Sequence, residues 1–70
     1  MVLRNAHPGK EYIIKAILTD DAELDRFLFS LGCFEGQPIT VINKLSSGCT
    51  VSVKDGRYNI DKNLADAIVV

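Results

Sequence analysis

The sequence predicts a small, mainly β barrel with one α-helix, in the order β-α-β-β-β-short helical turn-β. Three observations support this fold class: several short runs rich in β-branched and aromatic residues, one apolar run at helical spacing, and turn-forming residues between the runs. Seventy residues leave room for one hydrophobic core, so residues 1–70 are expected to form a single domain.

The first strand is predicted over residues 10–18, which follow a Pro-Gly turn and include Tyr12, Ile13, Ile14 and Ile17. Apolar and polar residues do not alternate strictly along this run. Such a pattern is expected for a strand that is covered on both faces or that curls around a small barrel.

The helix is predicted from Asp21 to Leu31, before Gly32, which suits a left-handed C-cap. Asp20 is expected to cap the first turn, and Glu23 to reach back to the Asp20 amide. Four apolar residues at positions i, i+3, i+4 and i+7 form one stripe that should face the core: Leu24, Phe27, Leu28 and Leu31.

Two further strands are predicted to follow the helix. The second strand covers residues 37–45, and the third strand alternates apolar and polar residues between Cys49 and Lys54. Asp55-Gly56 predicts a two-residue hairpin of type I′, because that turn requires positive φ at both positions.

The end of the chain predicts one strand, one helical turn and one last strand. Residues 57–60 should return as the fourth strand, after which Asp61 can cap a single turn that places Leu64 and Ala67 on the barrel. Residues 68–70 complete the sheet as a short final strand.

Composition excludes several classes of function. The net charge is −1 and the basic residues are scattered, which argues against a surface for nucleic-acid phosphates. No segment approaches the ~20 apolar residues that cross a bilayer, and two cysteines do not make a disulfide framework. A cytoplasmic protein with reduced thiols is expected.

His7, Cys33 and Cys49 are the residues that suggest a metal site or a nucleophile. Their spacing matches no zinc motif, and no phosphate-binding glycine loop is present. His7 lies beside Pro8 in a segment expected to be frayed, so it is not expected to activate a cysteine. We therefore expect no metal, no cofactor and no catalytic residues.

Over nearly its full length the chain resembles the FeoA family. The shared positions are Arg26-x-Leu28-x-x-Leu31-Gly32-x-x-x-Gly36, Ile39-x-Val41, Val51-x-Val53 and Leu64-Ala65-x-Ala67-Ile68-x-Val70. The same pattern is similar to the C-terminal SH3-like domain of DtxR-type metal-dependent repressors. The chain departs from the family at Phe27, where a basic residue is common, and at Glu35, where proline is common.

This resemblance implies an SH3-like barrel in the cytoplasm, without enzymatic activity, that serves bacterial ferrous iron uptake. It implies a partner, a FeoB-type membrane GTPase that transports ferrous iron. An alternative is a small SH3-like binding module of another system, either a detached metal-regulator domain or a nucleic-acid-binding barrel. A homo-oligomer is also compatible with the sequence, because an edge strand can pair with its own copy.

Three residues are the candidates for partner binding: Arg26, Phe29 and Phe34. Phe29 lies off the apolar stripe of the helix, and Phe34 lies in the turn that follows it. Aromatic and Arg side chains commonly anchor protein interfaces. The alternative is that both rings only cover the ends of the barrel, in which case their removal would lower stability.

Overall fold

A computed structural model describes all residues from Met1 to Val70. The N-terminal segment contains a 3₁₀ turn at Leu3–Asn5. The other elements, in chain order, are β1 (Glu11–Ile13), β2 (Ala16–Ile17), α1 (Ala22–Leu31), β3 (Pro38–Leu45), β4 (Gly48–Val53), β5 (Gly56–Asp61), α2 (Lys62–Ala67) and β6 (Ile68–Val69).

The strands form two antiparallel sheets. The larger has the order β1-β3-β4-β5, and the smaller pairs β2 with β6. The larger sheet bends at a register shift between Val41 and Asn43 of β3, as a bulge requires. The mainly β fold with one main helix is thus confirmed, although no hydrogen-bonded ladder closes the two sheets into a continuous barrel.

The predicted first strand, residues 10–18, is two strands that belong to different sheets. The Ile14 amide donates to the Gln37 carbonyl beside β3, and the next amide, Lys15, donates to Val69 in β6. The chain therefore passes from one sheet to the other between these two residues. Ile14 is 1% exposed at this crossing, which explains why apolar and polar residues do not alternate.

Helix α1 starts one residue later than predicted, and its cap is Asp21 rather than Asp20. The Asp21 carboxylate accepts hydrogen bonds from the amides of Glu23, at 2.9 Å, and Leu24, at 3.3 Å. The Asp21 amide donates to the Thr19 hydroxyl, and the predicted hydrogen bond from the Asp20 amide to Glu23 is not formed. At the other end Gly32 has φ +97°, the left-handed conformation predicted for the C-cap.

The apolar stripe of α1 is narrower than its spacing indicates. Leu28 is fully buried and Leu24 and Leu31 pack partly against the core, but Phe27 is 48% exposed. At 100° per residue Phe27 lies about 100° around the helix from Leu28, outside the face that the sheet covers. The expectation that Phe27 belongs to the core is wrong.

The hairpin between β4 and β5 turns at Lys54-Asp55, one residue before the predicted position. Val53 pairs with Gly56, and positive φ occurs at Lys54, 51°, rather than at both loop residues. This is the φ pattern of a type II′ turn. Gly56 leaves room for the Tyr58 ring, because a Cβ there would lie 2.2 Å from the Tyr58 hydroxyl and the side chain would have to move.

Both ends of the chain are held by the core. Leu3 and Ala6 are fully buried, so the segment before β1 is not frayed as predicted. The Val70 amide donates to the Met1 carbonyl, and Arg4 in the 3₁₀ turn pairs with Asp66 in α2 at 2.9 Å. As predicted, the Asp61 carboxylate caps α2, where Leu64 and Ala67 are buried.

Candidate protein-binding site

An open groove of about 450 Å³ separates the C-terminal end of α1 from the β4–β5 hairpin. We call it the aromatic groove, since three aromatic rings line it. Its walls consist of Phe29, Ser30, Leu31, Gly32, Phe34, Lys54, Asp55, Gly56 and Tyr58. The groove therefore combines apolar rings with one cation and one carboxylate.

Phe29 and Phe34 form one wall of the aromatic groove. Their ring centroids are 5.0 Å apart with the planes tilted by 34°, a separation typical of interacting aromatic side chains. Phe29 is 65% exposed, whereas Phe34 is half-buried. The sequence placed Phe29 off the core stripe, and the structure brings the two predicted rings together.

Lys54 connects the hairpin to this wall. Its ammonium nitrogen lies 5.1 Å from the centroid of the Phe34 ring, within the range of a cation–π interaction. Its methylene chain passes over Gly32, where an added Cβ would meet Cγ at 3.0 Å. The absence of a side chain at Gly32 therefore lets Lys54 pass over the end of the helix to reach Phe34.

Arg26, the third predicted residue, is exposed on α1 but does not line the groove. It lies one helical turn before Phe29, so the two side chains emerge on neighbouring parts of one surface. Tyr58 also lines the groove, while the rest of its side chain packs against the core. Its place in the groove depends on how the hairpin meets the helix, which no local sequence pattern indicates.

The residues considered for metal or nucleophile chemistry do not come together. Cys33 and Cys49 are both buried free thiols, whereas His7 is exposed. Burial raises the pKa of the Cys33 thiol to about 11, and burial also raises the pKa of Cys49, partly offset by Lys44. No group of three or more His, Cys, Asp and Glu side chains is arranged to hold a metal ion.

Solved structures resemble this fold closely. An iron uptake regulatory protein, FeoA, superposes with a TM-score of 0.86 at 29% identity, covering 97% of this chain and 91% of the other. A zinc complex of FeoA from Stenotrophomonas maltophilia, described as a prokaryotic SH3 domain protein, gives 0.85 at 19% identity, with 99% and 87% covered. These matches establish the SH3-like fold.

A third structure, iron(II) transport protein A from Clostridium thermocellum, gives a TM-score of 0.89 at 22% identity. The match covers 99% of this chain and 43% of that one.

No curated protein matches the sequence significantly. None of the helices has the length and apolar character needed to span a membrane. The family model for the FeoA domain matches residues 1–70, so the chain belongs to the FeoA family, whose SH3-like members are associated with ferrous iron transport.

Proposed function

We propose that this protein is a non-enzymatic accessory protein of bacterial ferrous iron uptake that binds the cytosolic part of a FeoB-type membrane GTPase. Membership of the FeoA family supports the pathway. The observation that carries the binding role is the pair formed by Phe29 and Phe34 in an open groove.

The aromatic groove has the properties of a protein-binding site. Phe29 exposes most of its ring to solvent although no aromatic residue is among the fully buried ones, and the ring packs against its neighbour Phe34. Rigid aromatic rings beside an exposed arginine are typical anchors of interfaces, since they bury a large area and lose little conformational entropy. Arg26 would contribute from the adjacent helical turn.

The groove suits a peptide-like surface better than a reacting substrate. Its wall contains no histidine or cysteine, and its ionisable groups are Lys54, Asp55 and Tyr58. Lys54 already interacts with Phe34. We infer that residues 1–70 act as one binding module in the cytoplasm, and that docking changes the GTPase cycle or the assembly of the transporter.

Isothermal titration of the protein with the soluble GTPase domain of a FeoB-type transporter, and then with the full-length transporter in detergent, tests this role. We expect saturable binding to at least one of them, weakened by Phe29→Ala. Ile13→Ala is the matched control, because Ile13 is 51% exposed on β1 and is not part of the groove. Absence of binding to both forms would refute the proposal.

A further inference from the structure

Strand β5 leaves one edge of the larger sheet unpaired. It is the last strand in the order β1-β3-β4-β5, and its only ladder is with β4. The two-residue loop makes Val53–Gly56 the closing hydrogen-bonded pair, so the amides and carbonyls of Arg57, Asn59 and Asp61 point away from β4. None of the additional backbone hydrogen bonds engages Arg57 or Asn59.

The side chains along this edge are complementary to themselves. If two β5 strands pair antiparallel with Asn59 on the two-fold axis, Arg57 lies opposite Asp61 of the second copy, and this contact occurs twice. On the other face Tyr58 lies opposite Ile60 of the second copy. Opposite charges and aromatic–β-branched pairs are both favourable across neighbouring strands.

Backbone hydrogen bonding between the two β5 strands is compatible with the same register. Outward-facing groups at residues 57, 59 and 61 form hydrogen-bonded pairs when 59 meets 59 and 57 meets 61, which is the register that the charges select. A shift by one residue would place outward-facing groups opposite inward-facing ones. A shift by two residues would keep the hydrogen bonds but separate Arg57 from Asp61, so the charges select among the registers that hydrogen bonding permits.

The surroundings leave this edge accessible. Arg57, Asn59 and Asp61 are all exposed. After Asp61 the chain turns away, because the Lys62 amide donates to the Ser47 carbonyl in the β3–β4 loop. The cap of α2 uses one oxygen of the Asp61 carboxylate, Oδ1, and leaves the other for an arginine.

We propose that the protein forms a two-fold symmetric homodimer in which the β5 strands of two copies pair edge to edge about Asn59. A second copy fits this edge because Arg57 and Asp61 carry opposite charges and lie two residues before and two residues after Asn59. Antiparallel self-pairing about Asn59 therefore places each charge opposite its counterion. This inference does not depend on the transporter as a partner.

Sedimentation velocity tests the dimer from about 10 μM to about 1 mM, a range suited to an interface of five residues per copy. We expect the wild-type sedimentation coefficient to rise toward that of a dimer. Arg57→Glu should raise the dissociation constant at least tenfold by placing like charges opposite each other. Arg26→Glu, with the same charge change on α1, should leave it unchanged.

Asn59→Pro supplies a second test, because the Asn59 amide points outward and β4 does not use this backbone donor. The substitution also removes Asn59 Oδ1, which accepts a hydrogen bond from the Thr50 hydroxyl at 2.6 Å, so Asn59→Ala is its control. The proline variant should unfold as a cooperative monomer at every concentration, whereas the alanine variant should still dimerise. A wild-type protein that stays monomeric at about 1 mM would overturn the proposal. So would a dimer that survives Arg57→Glu and Asn59→Pro but is lost in Phe29→Ala, since it would then use the aromatic groove.

Discussion

The ammonium group of Lys54 lies 5.1 Å from the centre of the Phe34 ring, which it reaches by crossing Gly32. This contact links the hairpin loop to the turn after α1. It also orients Phe34, against which Phe29 packs on the solvent side. The exposed ring of Phe29 is therefore held against Phe34, and the position of Phe34 is in turn fixed by its contact with Lys54.

Phe29→Ala and Phe34→Ala should separate binding from stability. Both are expected to weaken transporter binding at least tenfold, because each ring belongs to the same exposed pair. Phe29→Ala should lower the free energy of unfolding by about 0.5–1 kcal/mol, because it removes the aromatic pair but little other buried contact. Titration calorimetry and urea unfolding measure the two effects.

Phe34→Ala should also cost about 1–2 kcal/mol of stability, since it removes an aromatic pair and a cation–π interaction. A loss of several kcal/mol in both variants, with unchanged binding by the folded fraction, would assign the rings to a structural role.

Gly56→Ala should destabilise the protein by about 1–3 kcal/mol, because the new methyl group would overlap the Tyr58 hydroxyl and force the ring to move. The test is a double-mutant cycle with Tyr58→Ala, monitored by urea unfolding. In the Tyr58→Ala background the clash is absent, so Gly56→Ala should become neutral or stabilising. Equal costs in both backgrounds would show that backbone conformation, not the tyrosine, requires glycine.

Asp21→Ala should lower stability by about 1 kcal/mol, because the Asp21 carboxylate caps two amides of the first helical turn. Asp20→Ala, its neighbour with the same charge, should have a smaller effect, since Asp20 takes part in no cap hydrogen bond. Thermal unfolding of the two variants compares them directly. A larger loss of stability in Asp20→Ala than in Asp21→Ala would show that Asp20 is the cap.

The elements with strong local signals were predicted well. The helical spacing of Leu24, Leu28 and Leu31, the glycine after the helix and the alternation in β4 each specify a structure over a few residues. The exact ends of elements were predicted less well where two neighbouring residues could play the same role. Two adjacent aspartates could both cap α1, and in the structure it is Asp21 whose carboxylate accepts from the first-turn amides, while its own amide donates to the Thr19 hydroxyl.

The candidate site was predicted only in part. Helical geometry places Phe27 and Phe29 on either side of Leu28, so a sheet that covers Leu28 leaves both rings exposed. The sequence identified Phe29 but counted Phe27 as core, because the width of the covered face depends on the partner surface. Tyr58 joins the groove through tertiary packing alone.

The buried Cys33 thiol should make stability fall at high pH. Burial raises its pKa from about 9 to about 11, so above pH 9 the unfolded chain loses this proton while the folded protein keeps it. Unfolding then becomes more favourable as pH rises from 9 to 11. Cys33→Ala removes this contribution, and its stability should decline less steeply with pH over that range than that of the wild type. Urea unfolding at intervals between pH 7 and pH 11 measures the difference. Parallel curves for the two proteins would show that the thiol ionises as easily in the folded state as in the unfolded one.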